Sequence, residues 1–165
     1  MTAAELRKAS TEDLLGALEH PPTSFEEYLD LHAGKVGALV NTFIPSGTHT
    51  DMDSYLYAPL SKYSENGGKR HRPLICFASC VAVGGDVRMA VSAAAAIEHF
   101  HTAALIHDDI ADEATLRRGE PCLHLTEGLG LAINAGDLAL SLVNGSVIKD
   151  PALPDAVKVR VVTEL

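Results

Sequence analysis

Residues 94–119 read AAAIEHFHTAALIHDDIADEATLRRG, an apolar run of helical length that ends in several carboxylates and then two arginines. On an α-helix, Asp108 and Asp112 are four residues apart and share a face, with Asp109 on the adjacent face. Like charges at this spacing repel one another, so a helix that stacks these three carboxylates and Glu113 within about one turn is destabilised unless a cation neutralises them. The stretch predicts a long core helix that ends at a charged site.

A hard divalent cation fits this group of carboxylates best. Magnesium prefers carboxylate oxygens, retains several waters and completes its shell with substrate phosphates. Arg117 and Arg118, just downstream, carry planar guanidinium groups suited to phosphate. Together these residues indicate a clamp for a metal ion and a diphosphate. The alternative is a solvated acidic helix face, and the apolar run before Asp108 argues against it because such a face has polar residues at helical spacing.

The composition limits both the fold and the partners. The chain has 165 residues, of which 47% are hydrophobic and only 5% aromatic, so aliphatic side chains must fill the core of one closely packed domain. The formal net charge of −9 argues against nonspecific binding to nucleic acid, which requires a basic surface. Basic residues are instead concentrated locally, in two short clusters.

Neither a secretory signal nor a membrane span is predicted. The N-terminal residues carry acids and no sustained apolar run, and no stretch reaches bilayer-spanning length without a charge or a histidine. Cys76, Cys80 and Cys122 are predicted to be buried reduced thiols rather than a metal site, because no four-ligand set surrounds them. We therefore expect the protein in the cytoplasm.

Apolar periodicity predicts an all-α fold. Ser24 followed by Glu27 forms a capping box before an apolar stripe, and Pro59 is expected to bend a later helix. No alternation long enough for a strand occurs. The predicted helices span residues 4–19, 24–45, 52–63, 74–83, 87–113 and 129–148, with another from 154.

The segment GGKRHRP at residues 67–73 joins a flexible glycine pair to a helix N-terminus. Proline suits the first turn of that helix. Backbone N–H groups, the helix dipole and the side chains of Lys69, Arg70 and Arg72 are expected to converge there, which favours an anion site. The alternative is a basic, solvated start to the helix, and the arginines downstream of Asp108 favour the anion site.

Three motifs in this order and spacing, GGKRHRP, IEHFHTAALIHDDIADEATLRRGEP and AGDLAL, closely resemble the N-terminal half of the trans-prenyl diphosphate synthases. This is the family of geranylgeranyl and farnesyl diphosphate synthases. The resemblance implies an isoprenoid-synthase-type helical bundle, with its first half in residues 24–165. Residues 1–23 are then an N-terminal helical extension.

The resemblance also implies roles for individual residues. Asp108, Asp109 and Asp112 match the first aspartate-rich motif, which holds Mg²⁺ against the allylic diphosphate, and Arg117 matches the arginine that grips this diphosphate. The residues that match the isopentenyl diphosphate site are Gly68, Lys69, Arg72, His101 and Arg118. A lone histidine in an apolar helix, as at 101, is otherwise read as a satisfied core residue.

Product length is expected to depend on the residues below the aspartates. In the resembled family, bulky residues at the positions of Ala103 and Ala104 limit products to short chains. Alanine leaves room there, and the next large side chain is Phe100, eight residues or about 12 Å below Asp108. We predict geranylgeranyl diphosphate as the product, with room for a longer one.

One departure from the family pattern concerns the second aspartate-rich motif. After Arg118 the aspartates are Asp137, Asp150 and Asp155, and they form no such motif. We therefore expect a subunit of a split synthase that condenses isopentenyl and allylic diphosphates only in complex with a partner chain carrying the second motif. A homo- or hetero-oligomer built across residues 129–148 is also expected.

Two other functions remain open at this stage. One is a noncatalytic regulatory homologue that binds a prenyltransferase. The other is a metal-dependent phosphohydrolase in which His107 and Asp108 form a ligand doublet, with His71 and Asp137 as further ligands. That chemistry would not need the arginines.

Overall fold

The computed structural model describes residues 24–165, and this part of the chain is predominantly helical, as predicted. Helix α1 (Phe25–Asn41) begins after Ser24, whose Oγ accepts a hydrogen bond from the backbone N–H of Glu27 at 3.1 Å. This contact is half of the predicted capping box. The predicted helical extension at residues 1–23 lies outside the described residues.

Helix α2 (Thr50–Met52), a π-helical turn (Asp53–Tyr57) and helix α3 (Ala58–Glu65) form one continuous helical path. The sequence predicts a single α-helix here, bent at Pro59. The structure instead widens the turn before the proline, where an N–H donates to the carbonyl five residues back. Proline lacks an N–H and its ring crowds the preceding turn, and a wider turn accommodates the ring.

Helix α4 (His71–Ala82) begins earlier than the predicted residue 74. Arg70 precedes it with a left-handed φ of 50° and turns the chain directly into the helix. Pro73 lies in the first turn, where a missing N–H leaves no intrahelical hydrogen bond unmade. This agrees with the predicted position of the proline.

The long central helix is predicted as residues 87–113. It is found as a 3-10 turn (Val87–Ala90) followed by helix α5 (Val91–Ala111). The side chain of Asp86 caps the 3-10 turn by accepting a hydrogen bond from a backbone N–H at 2.9 Å. The helix thus spans nearly the predicted length and ends at the aspartate motif.

A short antiparallel hairpin follows α5, with strands β1 (Leu116–Arg117) and β2 (Glu120–Pro121). No strand is predicted from the sequence, so the hairpin is a correction. Its turn residues, Arg118 and Gly119, both have positive φ, 55° and 85°, as a type I′ turn requires. Two residues per strand are too few to produce a visible alternation in the sequence.

Helices α6 (Leu123–Thr126), α7 (Leu129–Ile148) and α8 (Asp155–Glu164) complete the described chain. Helix α7 confirms the predicted span of 129–148. Helix α8 begins within one residue of its predicted start.

Helix α5 contributes to three apolar clusters. Its first half packs against α1 and α4, its second half packs against α3 and α7, and Ala96 packs against the end of α7. Short side chains at the contact with α7 let the two backbones approach closely, as the low aromatic content predicts. These side chains are Ala103, Ala132, Ala135 and Ala139, each at most 1% exposed.

Two helical segments are long and apolar enough to cross a membrane by length and composition alone. They are Val87–Ala111 and Leu129–Ile148, with mean hydropathy of 1.3 and 1.4 in their most apolar windows. They pack on each other through the small side chains described above, and core helices of globular bundles have the same composition. That no segment spans a membrane therefore stays a prediction.

We expect the protein to lose stability in acid because His99 is buried. Burial lowers the pKa of His99 from 6.5 to about 4, and its Nε2 is buried without a hydrogen-bond partner. Between pH 6.5 and 4 the unfolded chain binds a proton that the folded chain does not, so the free energy of unfolding falls by about 3 kcal/mol from this residue. Above pH 6.5 its contribution is fully present.

Urea denaturation at pH 7 and pH 4.5 measures this effect. The acid-induced loss should shrink in His99→Gln and stay unchanged in His71→Gln, which removes an exposed histidine at the start of α4. An equal acid-induced loss in both variants would contradict the assignment to His99.

Candidate functional site

The aspartates of the motif are divided between solvent and core. Asp108 lies in the last turn of α5 and Asp112 caps the helix, and both are exposed. Asp109, between them, is 1% exposed. The four-residue spacing therefore holds as predicted for the outer pair, whereas the middle carboxylate turns into the protein.

Asp109 is held by side chains from two other segments. Its Oδ1 accepts hydrogen bonds from Arg117 Nε at 2.8 Å and Nη2 at 2.5 Å, and its Oδ2 accepts one from the Tyr63 hydroxyl at 2.8 Å. Burial, followed by the neighbouring Asp109 carboxylate, raises the pKa of the Cys122 thiol. In this structure Asp109 is an ion-pair partner. Metal ligation by Asp109 stays a prediction, and it would require Arg117 to release the carboxylate.

Tyr63 is a site residue that the sequence does not reveal. It lies 46 residues before Asp109, and a tyrosine in a helix carries no local sign of a charged partner. Burial and the hydrogen bond to Asp109 raise the pKa of the Tyr63 hydroxyl. The hydroxyl therefore stays protonated at neutral pH and donates a hydrogen bond to Asp109.

The carboxylates of the aspartate motif fit magnesium only if a substrate completes the coordination shell. Within residues 24–165, no three side chains of His, Cys, Asp or Glu come together in a group that could hold a metal ion. Magnesium is commonly bound through one or two carboxylates plus waters and substrate phosphates. The exposed Asp108 and Asp112 match that pattern, and a cage made of protein carboxylates alone does not.

Arg118 lies over the glycine pair of the GGKRHRP segment. Its Nη1 donates to the carbonyl of Gly67 at 2.6 Å and to that of Asn66 at 3.3 Å. A Cβ on Gly68 would lie 2.9 Å from the Arg118 guanidinium carbon, and Gly68 has a φ of 106°. The positive φ favours glycine at this position, and a Cβ there would also displace the Arg118 guanidinium.

His101 lies near Arg72 and Arg118, which belong to the two basic segments. Burial lowers its pKa, and so do the nearby charges of Arg72 and Arg118, so the imidazole is neutral at neutral pH and can donate one N–H. The structure thus brings together Gly68, Arg72, His101 and Arg118, all predicted for one diphosphate site. Lys69 is exposed on the same segment, and no described contact ties its side chain to the others.

Arg70 does not contribute to the anion site that the sequence predicts. It is 7% exposed, and its Nη1 pairs with Glu98 Oε1 on α5 at 2.6 Å. Its Nη2 donates to the carbonyl of Ser64, and its Nε would lie 3.1 Å from a Cβ on Gly37. The guanidinium is therefore used inside the protein, where it joins α1, α3 and α5.

The predicted chain-length residues lie on different faces of α5. Phe100 is 53% exposed and Ala104 is half-buried on the same side as Asp108, because the three are spaced by four residues. Ala103 is fully buried against α7. Only the first two lie where a product chain could contact them without moving α7.

The ligands of the phosphohydrolase alternative do not gather around one point. His107 Nε2 lies 3.6 Å from Asp137 Oδ1, and its ring packs on Gly136. His71 lies at the start of α4, and no three-ligand group forms among residues 24–165. The structure gives this alternative no support.

Comparison with known proteins identifies relatives of this chain. The family model described as Polyprenyl synthetase matches residues 53–162. The chain is 40% identical over 146 residues to Geranylgeranyl pyrophosphate synthase 12, chloroplastic, of Arabidopsis thaliana, which covers 86% of this chain and 39% of that protein. It is 49% identical over 84 residues to the Short chain isoprenyl diphosphate synthase of Methanothermobacter thermautotrophicus, over 51% of this chain and 26% of the relative.

Solved structures agree with this result. Geranylgeranyl Pyrophosphate Synthetase from the archaeon Geoglobus acetivorans superposes with a TM-score of 0.69 at 35% identity, over 78% of this chain and 40% of that one. The geranylgeranyl pyrophosphate synthetase of Pyrococcus horikoshii gives 0.69 at 33% identity, over 93% and 42%. The chain thus spans about two fifths of the length of these synthetases.

Proposed function

This chain belongs to the polyprenyl synthetase family, and we propose that it forms the first half of a trans-prenyl diphosphate synthase active site. The reaction joins isopentenyl diphosphate to an allylic diphosphate. One observation supports this most directly: exposed Asp108 and Asp112 lie beside the hairpin that carries Arg117 and Arg118. Carboxylates for a metal ion and guanidinium groups for a diphosphate are then at one end of α5.

The two sets of residues suit two different diphosphates. Asp108, Asp112 and Arg117 would bind the allylic diphosphate, with Mg²⁺ supplying charge neutralisation for the departing diphosphate. The second substrate would bind to a basic group around a neutral imidazole. This group consists of Gly68, Lys69, Arg72, His101 and Arg118. Asp109 would join the metal ligands only after Arg117 releases its carboxylate.

The residues around the reacting carbons have to protect a cation. When the allylic C–O bond breaks, its electron pair leaves on the diphosphate oxygen and positive charge remains on carbon. The alkene of isopentenyl diphosphate then forms the new C–C bond and a proton is lost. The apolar stripe of α5 below Asp108, including Ala104 and Phe100, would exclude water from this cation.

The aspartates after Arg118 form no second aspartate-rich motif, so we place a second group of metal-binding carboxylates on another source. The proposed source is a partner chain that carries the second aspartate-rich motif, in a heteromer that also pairs through α7. The apolar side chains of α7 that are 40–57% exposed support such a covered surface, and they are Leu129, Ile133, Leu140 and Ile148. A longer form of the same polypeptide is the other source of this motif.

The test compares the chain alone with the chain plus a second half. The purified chain, at micromolar concentration, is assayed with Mg²⁺ and both diphosphates while light scattering gives its mass. We expect self-association and no turnover alone, and prenyl transfer after co-expression with a chain that bears the second motif. A stable monomer with full activity would overturn the split enzyme. A soluble oligomer that no second half activates would favour the regulatory homologue.

Ala104→Phe should shorten the product. The phenylalanine ring would occupy the α5 stripe one turn below Asp108, where a growing chain has to pass. With the completed enzyme we expect the main product to change from geranylgeranyl to farnesyl diphosphate or shorter, as measured by chromatography of the dephosphorylated products. Ala93→Phe is the matched control, about three turns further down the same face and past Phe100. Unchanged products in Ala104→Phe would place the limit elsewhere.

The cytoplasm stays our proposed compartment. Cys76, Cys80 and Cys122 are all free thiols in the structure, which suits a reducing environment. The Arabidopsis relatives carry the description chloroplastic, which applies to those proteins. Fractionation of the source cells with an antibody to this chain would test the proposal.

A further inference from the structure

The hydroxyl of Tyr63 lies where three segments of the chain meet. Tyr63 is on α3, Asp109 is on α5 and Arg117 is on β1. Their side chains form one hydrogen-bonded series, in which the hydroxyl and the guanidinium donate to opposite oxygens of the same carboxylate. The tyrosine is 7% exposed and packs in the cluster between α3, α5 and α7.

The carboxylate of Asp109 depends on both donors. It is 1% exposed and lies at the carboxyl-terminal end of α5, where the helix dipole disfavours negative charge. A buried carboxylate is stable only when its oxygens accept hydrogen bonds or pair with a cation. Removing the Tyr63 hydroxyl leaves Oδ2 without that donor, so the carboxylate is no longer held from both sides and fixes the Arg117 guanidinium less firmly.

The pairing with Asp109 does not use all of Arg117. A guanidinium has five N–H groups, and only Nε and Nη2 donate to Asp109, so other N–H groups remain for an anion. The Arg117 side chain is 34% exposed, at the end of α5 that carries Asp108. The direction of these remaining donors is fixed by the two bonds to Asp109.

We propose that Tyr63 is a positioning residue for diphosphate binding, which acts through Asp109 to fix the guanidinium of Arg117. Nothing in the sequence marks Tyr63 for this role, and it does not contact the diphosphate. The inference rests on the proposed function, because it assigns a diphosphate as the ligand of Arg117. It places one determinant of substrate affinity on α3, away from the motifs.

Tyr63→Phe removes the hydroxyl and keeps the ring in the core. The probe is inorganic pyrophosphate with Mg²⁺, titrated into the full chain in a calorimeter. We expect affinity to fall by about tenfold in Tyr63→Phe. Tyr57→Phe is the matched control, because it removes a phenol from the π-helical turn that precedes α3, and we expect its affinity within about twofold of the unaltered chain.

A double-mutant cycle separates positioning from a general structural effect. If Tyr63 acts through Arg117, Tyr63→Phe should cause no further loss of pyrophosphate affinity in an Arg117→Ala background. A tenfold loss in both backgrounds would overturn the proposal, and so would a Tyr63→Phe variant that binds as well as the unaltered chain. If the unaltered chain does not bind pyrophosphate at all, the diphosphate site itself fails, and this proposal fails with it.

A measurement on the unaltered chain covers the case of a variant that does not fold. Nuclear magnetic resonance follows the Arg117 Nε–H signal and the Tyr63 ring signals during titration with Mg²⁺ and pyrophosphate. Both should change together, with the same midpoint, while the ring signals of Tyr55, an exposed tyrosine, stay fixed. A response of Arg117 with none at Tyr63 would overturn the proposal.

Discussion

Asp108→Asn and Asp112→Asn should each lower magnesium-dependent condensation by at least about a hundredfold in the completed enzyme. Each substitution replaces an exposed carboxylate by a neutral amide of nearly the same shape at the end of α5. Metal coordination of a leaving group contributes several kcal/mol of transition-state stabilisation, and each 1.4 kcal/mol is about tenfold in rate. Folding should be unaffected, because neither carboxylate is buried.

The measurement is the rate of product formation at several magnesium concentrations. Asp30→Asn, which removes an exposed carboxylate from α1, is the control and should keep its rate. Asp109→Asn should in addition weaken diphosphate affinity, because it breaks the pair with Arg117. Near-normal turnover in Asp108→Asn and Asp112→Asn would contradict the metal site.

Arg70→Met should lower the free energy of unfolding by about 3–5 kcal/mol, the largest stability effect that we expect from one substitution. The side chains of Arg70 and Glu98 are 5% and 4% exposed, so removing the arginine leaves a carboxylate buried without its cation. The carbonyl of Ser64 also loses its donor. Chemical denaturation followed by circular dichroism measures the change.

The protein contains a matched exposed pair for comparison. Arg88 Nη1 lies 3.4 Å from Asp86 Oδ1, with the two side chains 52% and 54% exposed, and Arg88→Met should cost less than about 1 kcal/mol. Combining Arg70→Met with Glu98→Leu should restore part of the loss, because no unpaired charge remains. Equal effects of Arg70→Met and Arg88→Met would contradict a structural role for the buried pair.

The sequence predicts the helices well because their signals are local. Capping at Ser24 and apolar periodicity over 129–148 depend on residues within a few turns of one another. The order and spacing of the motifs are also readable from the chain. For this reason, the fold class and family follow from the sequence.

Short-range signals fail where the chain departs from regular helix. The π-helical turn before Pro59 and the hairpin around Arg118 each involve only a few residues, so neither produces a periodicity. The hairpin turn depends on positive φ at two adjacent positions, and only Gly119 signals that in the sequence. Local sequence signals do not show which side chains the two arginines contact, and in the structure Arg117 pairs with Asp109 while Arg118 donates to the carbonyl of Gly67.

By itself the sequence determined that carboxylates at 108, 109 and 112 end a core helix and that basic residues flank a glycine pair. Only the tertiary structure decided which of them are exposed. Asp109 is buried because Tyr63 and Arg117, distant in sequence, supply donors to it, and Arg70 is buried because Glu98 lies opposite. Neighbouring residues of the same type have the same local propensity, so their burial depends on which partners packing brings within hydrogen-bonding distance.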